Sequence, residues 1–286
     1  MDFKTKRKPD WLKIDISSNN YIKKMRGILQ DNDLHTVCQE ARCPNRGECW
    51  RAGEATVMIL GNKCTRNCRF CAVGNSPDIV DHNEPQKVAR AISRIGLEYC
   101  VITSVTRDDL PDGGAQLWAK TIQKIRENNP DCKIEVLIPD FKGNKESLDL
   151  VIEASPDVIG HNLETVPDLY QKVRPQANFR QSLNLIEYAK HRKQITKSGI
   201  MVGLGETNQQ VIYLMKQARD AGCDLFTIGQ YLQPTEEHLP VDRYVTPDEF
   251  DYLKNEGLKI GFKAIMSGPL VRSSYKAGEM YESVGE

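Results

Sequence analysis

Six of the nine cysteines fall into two tight groups. Cys64, Cys68 and Cys71 lie in CTRNCRFC, with gaps of three and two residues; Cys38, Cys43 and Cys49 lie in CQEARCPNRGEC, with gaps of four and five. Thiolates crowded in this way are ligands for a soft metal centre. Three of them leave one position without a protein ligand, and a small molecule can bind there. A zinc ion normally takes four ligands, commonly from two C-x2-C pairs. The 64/68/71 group therefore reads as a four-iron cluster with one open iron. The 38/43/49 spacing matches neither zinc pairs nor the bacterial ferredoxin run. A second iron–sulfur cluster and a zinc site both stay open for it, and its nearness to the first group favours a cluster.

Something must hold these groups in place. From residue 55 onward, short apolar runs alternate with amphipathic segments. The runs are 56–60 (TVMIL), 100–105 (CVITSV), 134–138 (IEVLI), 157–160 (DVIG), 199–204 (GIMVGL), 225–229 (LFTIG) and 263–267 (KAIMS). Their length and aliphatic content predict strands buried on both faces, as in a parallel sheet. Between them, stripes such as Val88/Ile92/Ile95 and Leu183/Ile186/Ala189 predict helices, and Thr207 and Thr246-Pro247 supply helix starts. Repeated strand–helix units imply right-handed crossovers. Six or seven units are too few for an eight-fold barrel, so the expected fold is α/β, a partial (β/α)6-type parallel barrel. Residues 1–54 form an N-terminal extension with a helix near 20–29, residues 55–267 the barrel, and residues 268–286 a polar C-terminal tail.

In such folds, polar residues at strand C-termini reach the active site. The 64–71 loop follows the first strand and so belongs at that end. Thr106 and Arg107 follow the second strand; Asn162 and Glu164 follow the fourth. Arg107 either reaches the site or joins a loop ion-pair network with Asp108 and Asp109. His161 is expected as a buried, hydrogen-bonded histidine. The 203–206 turn (GLGE) falls short of a phosphate-binding pattern, although its glycines would permit close approach of a ligand. Cys100 and Cys223 read as small buried hydrophobes, and Cys132 has no assignment.

The chain has 286 residues and zero formal net charge, with a pI near 6.9. Nothing in that balance calls for nucleic acid or a membrane surface. The basic start has no apolar core of the signal-peptide kind, and no membrane-spanning run occurs. A cytoplasmic protein is expected, in which clustered cysteines bind metal rather than form disulfides. The basic pieces Lys6-Arg7-Lys8 and His191-Arg192-Lys193 are expected to be solvated faces, or else contacts for an acidic partner.

CxxxCxxC after the first strand of an α/β barrel, with Phe70 before the last cysteine, resembles the radical S-adenosylmethionine superfamily. The two trios, GEATVMILGNKCTRNCRFCAV (residues 53–73), TSVTRDDLPDGGA (103–115), HNLETV (161–166) and GPLVRSSYKA (268–277) together resemble the lipoyl synthase family. The likeness runs from KPDWLK (8–13) almost to the C-terminus.

The resemblance implies that Cys64, Cys68 and Cys71 hold the reducing 4Fe–4S cluster, whose open iron takes S-adenosylmethionine. It implies an auxiliary 4Fe–4S cluster on Cys38, Cys43 and Cys49, with Ser274 of RSSY as fourth ligand. An alkoxide is harder than a thiolate and suits soft iron less well, so that corner can be displaced. Thr106, Arg107, Asn162 and Glu164 would contact S-adenosylmethionine. The implied reaction inserts two sulfurs, at C6 and C8 of an octanoyl chain on a lysine of a lipoyl carrier domain. The carrier would be a dehydrogenase subunit or a glycine-cleavage component. A 5′-deoxyadenosyl radical removes each hydrogen, two S-adenosylmethionine molecules are used, and the auxiliary cluster is the sulfur source. A flavodoxin- or ferredoxin-type donor would supply electrons. Two rival readings follow from the same residues. In one the first trio holds only an electron-relay cluster; in the other both trios bind structural zinc.

Overall fold

The computed structural model describes residues 7–13, 20–51 and 54–284. Lys6 and Gly53, named above within motifs, lie outside the described residues.

Ahead of the barrel come α1 (Asn20–Asp31), β1 (His35–Thr36), α2 (Val37–Glu40) and α3 (Arg46–Arg51). The first barrel strand, β2 (Thr56–Ile59), leads into the cysteine loop, which is flanked by two short strands, β3 (Lys63–Cys64) and β4 (Gly74–Asn75). The chain then alternates α4 (Glu84–Ile95), β5 (Tyr99–Ser104), α5 (Ala115–Asn128), β6 (Lys133–Leu137), α6 (Lys145–Glu153) and β7 (Val158–Gly160). It continues through α7 (Tyr170–Val173), α8 (Phe179–His191), β8 (Thr196–Val202), α9 (Asn208–Asp220), β9 (Leu225–Gln230), α10 (Pro247–Ile260), β10 (Ala264–Gly268) and α11 (Ala277–Glu282).

The sheet runs β1-β2-β5-β6-β7-β8-β9-β10. Every neighbouring pair from β2 to β10 is parallel, and β1 joins β2 antiparallel. Among the described residues no pairing joins β10 back to β2, so the barrel is partial, as expected. Six strand–helix units are followed by a seventh strand.

The helices form where their apolar stripes can be buried. Val88, Ala89, Ala91 and Ile92 of α4 are fully covered, as are Trp118, Ile122 and Ile125 of α5. Thr207 and Thr246 each build a reciprocal capping box, with Gln210 and Glu249, and Pro247 opens α10. Met25, Ile28 and Leu29 of α1 lie in the same core as the first barrel strands.

The interior face is different. Barrel centres are normally filled by branched side chains. Here β8 and β9 place Gly199, Thr227 and Gly229 inward. A Cβ at Gly199 would lie 2.1 Å from Thr227 Oγ1, and one at Gly229 would lie 2.0 Å from the Val271 carbonyl oxygen. Glycine at these two positions lets the C-terminal segment thread beside β9 and leaves a cavity. Below it, Lys197 of β8 makes a buried ion pair with Glu135 of β6 at 2.8 Å, and Tyr99 donates to the same carboxylate. β8 begins at Thr196 rather than at the expected Gly199, because Lys197 and Ser198 are buried strand residues despite being polar.

The tail is less polar than expected. Val271, Ala277 and Met280 are buried. Helix α11 packs Met280 against Val158 and Leu225 at the strand N-termini, and Tyr281 meets Tyr99. No helix among the described residues is long and apolar enough to cross a membrane.

Candidate active site and metal centres

The 64–71 loop is tied down on every side. Thr65 N–H donates to the Thr106 carbonyl, and Asp108 N–H donates to Thr65 Oγ1. Arg69 N–H donates to Val173 O, Leu239 N–H to Arg69 O, and Asn67 N–H to Gln176 Oε1. His238 Nε2 bonds the Cys71 carbonyl at 2.8 Å, and its Nδ1 meets Thr235 Oγ1. Nε2 is therefore the donor and Nδ1 accepts from the hydroxyl. The sequence offered no pattern for His238. Two backbone N–H groups, of Arg66 and Thr106, donate to the Cys64 sulfur, both at 3.3 Å. Burial pushes the Cys71 thiol up to about 12 and also raises Cys68, and the neighbouring thiols add to both shifts.

The three thiols open onto a cavity of about 290 Å³ inside the barrel. Thr106, Asn162, Glu164 and His161 line it, as does Ser273. Glu164 holds φ at +66°, a left-handed conformation uncommon outside glycine. Burial pushes its carboxyl upward, against the pull of Arg174 and Asn162. His161 is neutral: burial lowers it to about 4. It bonds the Ile138 carbonyl through Nδ1 and Ser182 through Nε2. This is the buried histidine that was expected.

Arg107 is not on that wall. Its guanidinium donates to both Asp109 oxygens and to the Leu60 carbonyl. The loop network, open in the sequence, takes it. Arg174, which sequence reasoning missed, does border the cavity, together with Arg66 and Arg272. Its Nη1 donates to Asn162 O, Leu163 O and the Tyr170 hydroxyl, while its buried Nε has no partner among the described residues. Burial opposes its charge, but Tyr170, Glu164 and Cys68 outweigh that and raise its pKa. No local motif marks it; only the fold brings residue 174 to residues 68 and 164. The 203–206 turn is closed by its own Glu206 carboxylate, which accepts from Gly203 N–H and Leu204 N–H. It does not border the cavity.

The second thiol set lines a separate, smaller cavity of about 80 Å³. Cys38, Cys43, Cys49, Ser274, Thr56, Tyr99 and Arg272 border it. Ser274 accepts a hydrogen bond of 2.7 Å from Thr56 Oγ1. The tail is fixed there by Asn45, which donates to Leu270 O, and by Tyr275, which donates to Glu48. The two serines of RSSY thus part company: Ser273 borders the larger cavity and Ser274 the smaller, while Arg272 borders both. The buried Trp50 indole N–H has no regular hydrogen-bond partner among the described residues, and it interacts with the Cys38 sulfur. Burial raises the Cys38 and Cys49 thiols. Among the described residues no three His, Cys, Asp or Glu side chains converge to hold a single metal ion. Each thiol set borders a cavity rather than a point.

Comparison with known proteins places this geometry. The radical SAM superfamily profile matches residues 58–218, and the profile for the N-terminal domain of lipoyl synthase matches residues 2–43. A lipoyl synthase of Chlorobaculum tepidum is 53% identical over 281 residues, covering 97% of each chain. That of Caldanaerobacter subterraneus subsp. tengcongensis is 54% identical over 276 residues, covering 96% of each. The chain belongs to the lipoyl synthase family. It is an enzyme, a sulfurtransferase that uses a 4Fe–4S cluster and S-adenosylmethionine, and its substrate is an octanoylated carrier protein. Solved structures agree on the fold alone. Methylornithine synthase matches with a TM-score of 0.56 at 15% identity, covering 84% of this chain and 73% of that one. SuiB of Streptococcus suis, bound to S-adenosylmethionine, matches with a TM-score of 0.57 at 12% identity, covering 86% and 54%.

The donor sets of this lipoyl synthase family member fit iron–sulfur clusters. Cys64 already receives two N–H···S bonds, and the Trp50 indole acts on the Cys38 sulfur. Such donors stabilise a cluster-bound thiolate and tune its potential. Metal binding would displace the protons that burial otherwise keeps on these thiols.

Proposed function

We propose that the two cavities are the two halves of one thiolation site. The observation that carries this reading is the split of the RSSY segment, with Ser273 on the 64/68/71 side, Ser274 on the 38/43/49 side and Arg272 between them. Cys64, Cys68 and Cys71 hold the radical 4Fe–4S cluster. Cys38, Cys43, Cys49 and Ser274 hold an auxiliary 4Fe–4S cluster. When bound, the first cluster and S-adenosylmethionine supply hydrogen abstraction from unactivated carbon, and the second supplies sulfur.

The chain's own residues orient and shield that chemistry. Arg174 pairs with the carboxylate of S-adenosylmethionine through its free Nε edge. Asn162 and Glu164, on the strained turn after β7, bond its ribose or ammonium, and Thr106 closes the wall. Arg107 acts only on the loop, through Asp109. The octanoyl chain lies in the apolar part of the larger cavity, near Met58, Val105 and Ile138, and passes Arg272 toward Ser274. Thr56 steadies the Ser274 oxygen, and the hardness of that oxygen would make it a displaceable ligand. Two S-adenosylmethionine molecules serve the two insertions, at C6 and C8. Residues 1–54 and 268–286 carry the auxiliary ligands and residues 55–267 carry the radical ones. The protein works in the cytoplasm, a reducing compartment that keeps clustered thiols available for metal. The carrier is a dehydrogenase subunit or a glycine-cleavage protein, and the electron donor is of the flavodoxin or ferredoxin type.

The test is a reconstituted anaerobic reaction on an octanoyl-lysine peptide, read by mass spectrometry and by iron and sulfide counts. About eight irons and eight sulfides per chain are expected from two four-iron clusters. A dithiolated product formed in one turnover while the auxiliary cluster stays whole would leave it only an electron relay. Zinc without sulfide would remove the radical reading altogether.

A further inference from the structure

Arg66 lies inside the three-cysteine loop, two residues after Cys64, at the cavity's edge, and its side chain is buried between two aspartates. It is 5% exposed. Its Nε and Nη2 donate to the two oxygens of Asp108 at 2.7 and 3.0 Å. Its Nη1 and Nη2 donate to the two oxygens of Asp140 at 2.8 and 2.7 Å. A guanidinium has five N–H groups, and four of them are used here in two parallel forks. Asp108 belongs to the loop after β5, and Asp140 to the loop after β6. One side chain therefore registers the cysteine loop against the ends of two barrel strands.

The Asp140 side of the clamp is itself built at a cost. Phe141, Lys142 and Gly143 follow one another with φ of 45°, 51° and 78°. Two of them are not glycine, so the backbone is strained. Asp140 Oδ1 stabilises that turn by accepting from Lys142 N–H while it holds Arg66. Gly113 makes room for the Phe141 ring, since a Cβ there would lie 2.9 Å from Phe141 Cδ1. At the other end of the clamp, the Arg66 backbone N–H donates to the Cys64 sulfur at 3.3 Å.

We propose that Arg66 is a positioning residue for the radical cluster, its doubly bidentate grip on Asp108 and Asp140 aiming its own backbone N–H at the Cys64 sulfur and so setting the cluster's reduction potential. The inference rests on the reading of Cys64, Cys68 and Cys71 as that cluster's ligands. An N–H···S bond disperses thiolate charge and favours the reduced cluster. Lysine at this position keeps the charge but has no fork and reaches one carboxylate at a time.

The experiment compares Arg66→Lys with wild type as reconstituted holoenzyme. Loading of the wild-type chain with cluster, and its cleavage of S-adenosylmethionine, test the ligand reading by themselves. In Arg66→Lys, iron and sulfide content should stay at the wild-type level. The EPR-monitored midpoint potential of the radical cluster should move to a more negative value. Cleavage of S-adenosylmethionine should fall about tenfold in kcat with KM nearly unchanged, a loss on the chemical step rather than on binding. Asp140→Asn should shift the potential in the same direction by less, and it decides the case if Arg66→Lys does not fold. Arg126→Lys, in an ion pair with Asp157 at the other end of the barrel, should shift neither potential nor cleavage. A wild-type potential in cluster-loaded Arg66→Lys and Asp140→Asn would overturn the proposal. So would an equal shift in Arg126→Lys.

Discussion

The two thiol sites meet the same demand by opposite routes. The 64–71 loop draws its three cysteines from eight consecutive residues. Backbone hydrogen bonds to residues 106, 173 and 239 fix it, and Cys64 already has its two N–H donors. The 38/43/49 site is assembled from afar. Its thiols come from the extension at residues 38, 43 and 49, and its hydroxyl comes from residue 274. That tail is held by side-chain bonds from Thr56 and Asn45 and by the Tyr275 bond to Glu48. A contiguous loop makes a site that persists through turnover. A site whose fourth ligand comes from a remote tail can release that one hydroxyl without unfolding the barrel, which suits a cluster proposed to be consumed.

The comparison breaks first at its ligands. Cys68→Ala should abolish cleavage of S-adenosylmethionine. Cys43→Ala should still release 5′-deoxyadenosine and yield no thiolated peptide. Equal loss of cleavage in both variants would end the division of labour. Next comes the cavity wall. Arg174→Met removes a charge-assisted contact worth about 1.5–3 kcal/mol, so KM for S-adenosylmethionine should rise roughly ten- to a hundredfold. Arg107→Met should raise it much less, because Arg107 faces Asp109. A larger effect at Arg107 would restore the assignment suggested by the sequence.

A smaller effect sharpens the remote half. Ser274→Cys should load both clusters yet lower product formation about tenfold, since a fourth thiolate holds the corner iron more firmly. Iron release during a single turnover measures this, and an unchanged rate would mean the weak corner is not needed.

The approach to the local half shows in stability rather than in activity. Glu84 accepts from Leu60 N–H, at the turn that leaves β2 for the cysteine loop. Burial raises its carboxyl from 4.5 to about 7. Between those values the folded chain keeps a proton that the unfolded chain has lost, so stability falls as pH rises through that window. The full swing is about 3 kcal/mol. Denaturant unfolding of the metal-free chain at pH 5 and 7.5 should show the fall, and Glu84→Gln should flatten it.

Much of this was legible in the chain because it is written locally. Aliphatic runs of strand length mark β2 and β5 through β10, since a strand covered on both faces must be apolar throughout. Helix stripes and the Thr207 and Thr246 starts are equally local. Legibility failed where the barrel interior reverses the pattern. Lys197 and Glu135 are buried only because each neutralises the other across two strands. Arg174 meets Cys68 and Glu164 only through the curvature of the sheet. The tail of 268–286 hides scattered apolar residues, Val271, Ala277 and Met280, among polar ones, so it read as polar.

By itself, the sequence determined that two clusters of soft ligands sit on a parallel α/β frame, because ligand spacing and strand composition are properties of neighbouring residues. Only the tertiary structure decided which arginine faces the cavity and which locks the loop. It also set Ser273 and Ser274 on opposite sides and made Arg66 a bridge between strand ends. Those outcomes depend on which unpaired charges and hydroxyls the folding chain brings within hydrogen-bond reach, and that distance is unrelated to separation along the sequence.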